Sequence, residues 1–379
     1  KDPARLLRAL RARPETYWLR RGERKALRLF HEMASRVPAY KDFLKKRRVN
    51  QNRVKTIKDF KKYVPLISKD NYLRRYPLDQ LCWDGKFTEK QWDTASTSGS
   101  TGEPFYFPRS DAQNLQYAGT AELYLRTNFQ IHKRTTLYVN CFALGVWIGG
   151  LFTYEAVKLL ARRGKYRITL INPGLNKVEI LKAVRNLGPH FDQVILGGYP
   201  PFIKDVIDDG IRDGLKWKKY NIGIIFSAEG FSEEFRNYII KHAGIRNRYT
   251  GTLNHYGTVD QGTLANETPL SILIRRLAIS RPKLFRVLFS ASQGHRLPTL
   301  CQYDPELFYF EEISGSVICS SYSGLPLARY DLKDWGDVIS YDSLFESCDA
   351  LGINFLREAK RTDIADTIWR LPFVYVYER

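Results

Sequence analysis

Ser96-Thr97-Ser98-Gly99-Ser100-Thr101-Gly102-Glu103-Pro104 is the stretch around which the rest of this 379-residue chain is read. Its glycines let the backbone bend so that successive N–H groups face one point, an anion nest, and its hydroxyls add donors for phosphate oxygens. The GxxxxGKS/T spacing of a Walker loop is absent. A flexible Ser/Gly loop has the same composition, so composition leaves both readings open. The stretch stands just before a helical pattern that begins near Asp111.

Outward from it the chain changes character twice. Before it, from Pro3 to about Leu81, apolar residues recur at helical spacing, as in Ala26, Leu27, Leu29, Phe30, Met33 and Ala34, with breaks at Pro38 and Pro65. After it, short apolar runs at 136–140, 167–171, 193–196 and 222–226 alternate with helical candidates at 111–126, 152–163, 177–186, 201–209 and 233–242. Strands alternating with helices predict an α/β fold whose parallel sheets carry helices on their faces and bind ligands at the carboxyl ends of the strands. Past Tyr309 the pattern is rich in strand formers, with strands expected at 316–320 and 338–341 around the turn Ser323-Gly324-Leu325-Pro326. The expected organisation is a helical lead-in over 1–90, a nucleotide- and acyl-binding α/β core over 91–310, and a small β-rich subdomain over 311–379.

Composition narrows the classes. The hydrophobic share of 44% and charged share of 26% are those of a soluble globular protein. Sixty Lys and Arg against 40 Asp and Glu give a formal charge of +20, which attracts any polyanion without choosing among nucleic acid, acidic lipid and nucleotide. The densest basic runs, 1–24 and 45–62, are interrupted by Leu and Phe as on solvated helix faces, and no specific nucleic-acid partner is expected. Five widely spaced cysteines fit neither a disulfide framework nor a CxxC metal site, and a cytoplasmic location is expected. The apolar stretch 141–161 carries Gly149, Gly150, Glu155 and Lys158, which predicts a buried strand-turn-helix and no transmembrane segment. The six histidines show no HxxxH or HExxH spacing.

The Ser/Gly stretch resembles the phosphate-loop motif of the adenylate-forming superfamily of acyl-CoA synthetases, luciferases and peptide-synthetase adenylation domains. More narrowly it looks like the phenylacetate–CoA ligase and capsular-biosynthesis (CapK-like) branch. Val37-Pro38-Ala39-Tyr40 and Val64-Pro65-Leu66-Ile67-Ser68-Lys69-Asp70 are similar to that branch's lead-in segments, and further motifs follow in the family's order. Phe142, Trp147, Gly149 and Gly150 look like the region that walls the acyl pocket, and Gly197-Gly198-Tyr199-Pro200-Pro201 like the branch's turn lining it. Core packing and a plain strand-to-helix turn account for the same residues. Ser227-Ala228-Glu229-Gly230 resembles the segment whose backbone lies along adenine. His255-Tyr256-Gly257-Thr258-Val259-Asp260 resembles the Tyr-Gly-x-Ser/Thr-Glu motif, whose ring stacks on adenine and whose acid reaches Mg²⁺. Val259 and Asp260 depart from that pattern, the latter by one methylene. Ala328-Arg329-Tyr330-Asp331-Leu332-Lys333-Asp334 resembles the motif whose last Asp accepts from both ribose hydroxyls.

The resemblance therefore implies nucleotide contacts at Ser98, Gly99, Ser100, Thr101, Gly102, Ala228, Glu229, Gly230, Tyr256, Gly257 and Asp334. It implies an acyl pocket with Phe142, Trp147, Gly149, Gly150 and Tyr199, catalytic roles for Thr258, Asp260 and Arg379, and Mg²⁺ at Asp260 with Glu267 as a second carboxylate. ATP, Mg²⁺ and coenzyme A are the implied cofactors, a small carboxylic acid the substrate, CoA or a carrier thiol the acceptor, and a homodimer one possible assembly. Residues 371–379 look like the strand leading into the family's hinge, so the chain is expected to lack the mobile C-terminal domain and to be inactive or weak alone. Phe105 stands where the loop's usual cation would follow Pro104. Three alternatives stay open: delivery of the acyl group to a polysaccharide, carrier or protein; a degenerate non-catalytic relative; and a basic polyanion-binding module.

Overall fold

The computed structural model describes residues 2–97, 103–289 and 296–377. The N-terminal helices form because their apolar residues fall on one stripe. In the helix Glu15–Arg36, Trp18, Gly22, Ala26, Leu29, Phe30 and Met33 are buried while the basic residues between them face solvent. Gly22 is required by close approach, since a Cβ there would lie 2.5 Å from the Pro305 carbonyl oxygen. Proline at the first turn starts the helices Pro3–Ala12 and Pro38–Lys46.

Thirteen strands appear among the described residues. A separate antiparallel hairpin pairs β1 (Asp93–Ser96) with β2 (Tyr106–Arg109). The others are β3 (Thr136–Asn140), β4 (Ile168–Ile171), β5 (Gln193–Gly198), β6 (Ile222–Ser227), β7 (Thr252–Thr258), β8 (Gly262–Asn266), β9 (Thr299–Gln302), β10 (Phe308–Ile313), β11 (Ser316–Ser321), β12 (Leu327–Ile339) and β13 (Phe373–Val376). They form one hydrogen-bonded series in the order β10-β11-β12-β13-β9-β8-β7-β6-β5-β3-β4. The series is parallel from β4 to β7 and antiparallel from β7 to β10.

The parallel half follows from its sequence. β3 and β5 are buried along their whole length, as strands covered on both faces by crossover helices must be. One side is covered by the helices Asp111–Phe129 and Ile148–Arg162, the other by Lys177–Leu187, Pro200–Arg212 and Glu233–Ala243, giving two apolar clusters that flank the sheet. The stretch 141–161 is a loop followed by the helix Ile148–Arg162, and no helix among the described residues is long and apolar enough to cross a membrane.

The tail holds β11, β12 and β13 together with two helices that were not expected, Tyr341–Ala350 and Phe355–Arg361, each started by a side-chain cap, from Ser340 and Asn354. The strand expected at 338–341 is the end of the longer β12. The five cysteines are free and buried.

Candidate functional site

The strands β1 and β2 flank the Ser/Gly stretch in sequence, and its two edges, Thr97 and Phe105, are bonded to each other. Thr97 donates its backbone N–H to the Phe105 carbonyl at 3.1 Å, and its Oγ1 accepts from the Phe105 N–H at 3.0 Å. Ser98, Gly99, Ser100, Thr101 and Gly102 lie outside the described residues, as does Arg379. The hairpin leans on the segment after β3, where Ser96 donates its N–H to the Val146 carbonyl at 3.0 Å.

Across from it are the carboxyl ends of the parallel strands. After β6, Ala228 takes a positive φ of 81°, a conformation a small side chain tolerates best, and the Glu229 carbonyl accepts from Asn254 Nδ2 at 3.0 Å. Successive residues of β7 point to opposite faces. His255 enters the side covered by the helix Asp111–Phe129, its ring 4.9 Å from that of Tyr124, and burial pushes its pKa from the ordinary 6.5 down to about 3. Tyr256 points the other way and donates its hydroxyl to Asp334 Oδ2 at 2.8 Å. Burial first, then the Asp334 charge, raises the phenol's pKa and keeps it a donor. The residues expected to take adenine and ribose are thus in direct contact, though 78 residues apart in sequence.

Gly257 and Thr258 turn the chain into β8. A Cβ at Gly257 would lie 2.7 Å from the Gly262 carbonyl oxygen, so only glycine fits. Thr258 Oγ1 accepts from the Gln261 N–H at 3.3 Å, which shapes the loop presenting Asp260. Asp260 is 8% exposed, accepts a short hydrogen bond from the Tyr330 hydroxyl, and pairs with Lys69 Nζ at 3.2 Å.

Lys69 and Tyr330 received no role from the sequence, although both lie in quoted motifs. Their meeting depends on a long-range rung. Ile67 donates its N–H to the Arg329 carbonyl at 3.1 Å, and its own carbonyl accepts from the Asp331 N–H at 2.9 Å, laying residues 64–70 beside β12. Arg329 fastens the rung: its guanidinium reaches the Lys61 carbonyl at 2.8 Å, the Val64 carbonyl, and Glu311. The lysine thereby stands beside the acid that needs a cation, while Phe105 occupies the loop position.

The proposed acyl-pocket residues only partly converge. Phe142 is buried and touches two glycine positions, since a Cβ would lie 3.4 Å from its ring at Gly149 and 3.2 Å at Gly197. A Cβ at Gly150 would collide with the Ala143 carbonyl oxygen at 2.2 Å. Trp147 and Tyr199 are 44% and 40% exposed, at the rim of this end of the sheet.

Glu267, expected as a second carboxylate for Mg²⁺, is already occupied. It is 0% exposed and bound by Arg236 Nη2 at 2.7 and 2.9 Å, Arg275 Nη1 at 2.6 Å and the Asn254 N–H at 2.8 Å. A carboxylate so occupied is a structural counter-ion, not a second Mg²⁺ ligand. Among the described residues no group of three or more His, Cys, Asp and Glu could hold a metal. Asp260 alone fits Mg²⁺ only in the manner that ion favours, one carboxylate completed by phosphate oxygens and water.

No protein-family model matches this sequence, and neither does any curated protein. Solved structures do match in fold. An open conformation of 2-hydroxyisobutyryl-CoA ligase in complex with 2-HIB-AMP and CoA superposes with a TM-score of 0.65 at 12% identity, over 87% of this chain and 72% of that one. The same ligase in its postadenylation state gives 0.63 at 12% identity, over 87% and 65%. An acyl acid amido synthetase, AtGH3.15, in complex with 2,4-DB gives 0.54 at 11% identity, over 99% and 69%. The chain spans about two thirds of the length of these proteins. The likeness to these ligase and synthetase structures is one of fold.

Proposed function

We propose that this protein activates a small carboxylic acid with ATP, forming an acyl-adenylate and pyrophosphate, and passes the acyl group to a thiol such as CoA. The observation that carries the reading is the convergence of Tyr256, Asp334, Asp260 and Lys69 at the carboxyl ends of the parallel strands, facing the hairpin whose strands flank the Ser/Gly stretch. In the adenylation step a carboxylate oxygen attacks the α-phosphorus; its new O–P bond replaces the bond to the β-phosphate, and pyrophosphate leaves with that electron pair. A carboxylate is nucleophilic enough to need no general base. The protein contributes alignment and charge: Asp334 receives the ribose diol, Tyr256 holds Asp334 in place and offers its ring to the base, and Lys69 opposes phosphate charge. Mg²⁺, held at Asp260 with the phosphates, would supply further charge neutralisation. In the second step a thiolate attacks the acyl carbon and AMP departs. The phenylacetate–CoA ligase-like branch and cytoplasmic location are part of the same proposal.

Calorimetric titration with ATP and Mg²⁺ tests it. Saturable binding is expected for the wild type, abolished by Asp334→Ala and weakened about tenfold by Tyr256→Phe, which keeps the ring but removes the hydrogen bond. The absence of ATP binding by the wild type overturns the reading.

A further inference from the structure

Arg109 ends β2, two residues after Phe107, and residues i and i+2 of a strand share a face. Phe107 is the ring beneath Lys69, whose Nζ lies 5.9 Å from its centroid, and Lys69 pairs with Asp260. Arg109 therefore lies on the face of β2 that looks toward the Asp260 loop. It is 3% exposed, and among the described residues its Nε and Nη1 have no hydrogen-bond partner. Its guanidinium sits 5.2 Å from the centroid of Phe152, which also stacks on Tyr117 at 4.2 Å and packs against Gly262, where a Cβ would lie 3.0 Å from its Cε1. The residue before Gly262, Gln261, is 4% exposed and likewise has both amide atoms unpartnered.

A buried guanidinium with unpartnered N–H donors is costly, because water has been removed and nothing replaces it. The nearby carboxylate, Asp93, is exposed and accepts from Asn114 Nδ2 at 2.7 Å. Burial lowers the Arg109 pKa, and the Asp93 charge opposes the shift without cancelling it. Among the described residues the other buried arginines each bond a carboxylate, Arg236 with Glu233 and Glu267, Arg275 with Glu267 and Arg329 with Glu311, although Arg275 Nε is also without a partner. Arg109 differs in having two unpartnered nitrogens and no bonded carboxylate among the described residues.

We infer that Arg109, with the Gln261 amide, is the subsite that binds the carboxylate of the acid to be activated. The Nε–H and Nη1–H donors, on different edges of the guanidinium plane, can each give a charge-assisted hydrogen bond to a carboxylate oxygen, and Gln261 can donate a further one. The Phe152 and Tyr117 rings beneath it offer an apolar surface to the carbon skeleton. This deepens the adenylation reading and rests on it for the fate of the bound acid, but anion binding at Arg109 can be measured without any turnover.

The test is thermal melting of the wild type, Arg109→Met and Arg109→Lys, each alone and with ATP–Mg²⁺, pyrophosphate, acetate, hexanoate or benzoate. Without ligand, Arg109→Met is expected to melt at or above the wild-type temperature, because it removes an unpaired buried charge. At least one carboxylate should raise the wild-type midpoint by about 2 °C at ten times its Kd, with no shift in Arg109→Met and a reduced one in Arg109→Lys. The ATP shift should be equal in all three. Arg109→Met melting several degrees lower, a carboxylate shift that survives in it, or no carboxylate shift in the wild type would each overturn the assignment. Loss of the pyrophosphate shift in place of the carboxylate shift would move Arg109 to the nucleotide and also overturn it. A wild type that responds to carboxylate but not to ATP would leave this subsite standing and remove the adenylation reading instead.

Discussion

Two carboxylates seven residues apart, Asp260 and Glu267, sit at opposite ends of β8 and lead opposite lives. Glu267 is sealed behind the sheet in a network with Arg236, Arg275 and Glu233, every member buried and multiply bonded. Asp260 lies in a loop at the front, paired with a lysine that is 38% exposed. A closed network holds the strands in register and has no capacity left for a ligand. An open pair has exchangeable partners, and that is what a site requires.

Removing one partner from the closed network should therefore cost most. Glu267→Ala leaves two buried guanidinium groups without one of the two carboxylates they share, and a loss of about 3–5 kcal/mol is expected in urea unfolding. A midpoint close to wild type would show that the network is not what secures this side of the sheet. At the open end the effect should fall on rate. Asp260→Asn should leave the urea midpoint within about 1 kcal/mol of wild type while slowing pyrophosphate release about a hundredfold. Equal damage to stability would erase the contrast between the two acids.

His255 sharpens the comparison, because it occupies β7 between the two regions and is held neutral by burial. Its folded pKa of about 3 lies below the ordinary 6.5, so between those values the unfolded chain binds the extra proton. Stability from this group is complete above pH 6.5 and falls on acidification, by up to about 1.4 kcal/mol per pH unit. His255→Gln should flatten that limb of the stability profile; an unchanged acid limb would assign it to other groups.

Much of this was legible in advance where the signal is local. The runs at 136–140 and 222–226 became β3 and β6 nearly to the residue, because a strand buried on both faces must be apolar throughout. That Tyr256 and Asp334 serve one nucleotide is implied by resemblance alone, since no pattern links positions so far apart, and their hydrogen bond to each other is not implied at all. What stayed hidden was non-local. Glu267 looked available because it follows the Tyr-Gly motif; its arginines come from two helices, Glu233–Ala243 and Pro269–Ser280, and the second of these was not anticipated even though Thr268-Pro269 supplies a cap and a first-turn proline. Arg109 gave no sign at all, because an arginine in sequence does not announce that it will be buried without a partner.

The Ile67 rung also bears on how the molecule comes into being. Arg329 grips carbonyls up to 268 residues upstream, so the segment that carries Lys69 is not fastened until β12 exists. On a ribosome the helical start of the chain emerges first and must wait, its pairing edge open, while most of the remaining polypeptide is made. Contacts of such sequence separation are slow to close. The lysine, its acid and the tyrosine beside them come together only near the end of synthesis, so a partly made chain can fold its parallel strands while remaining unable to assemble this chemistry.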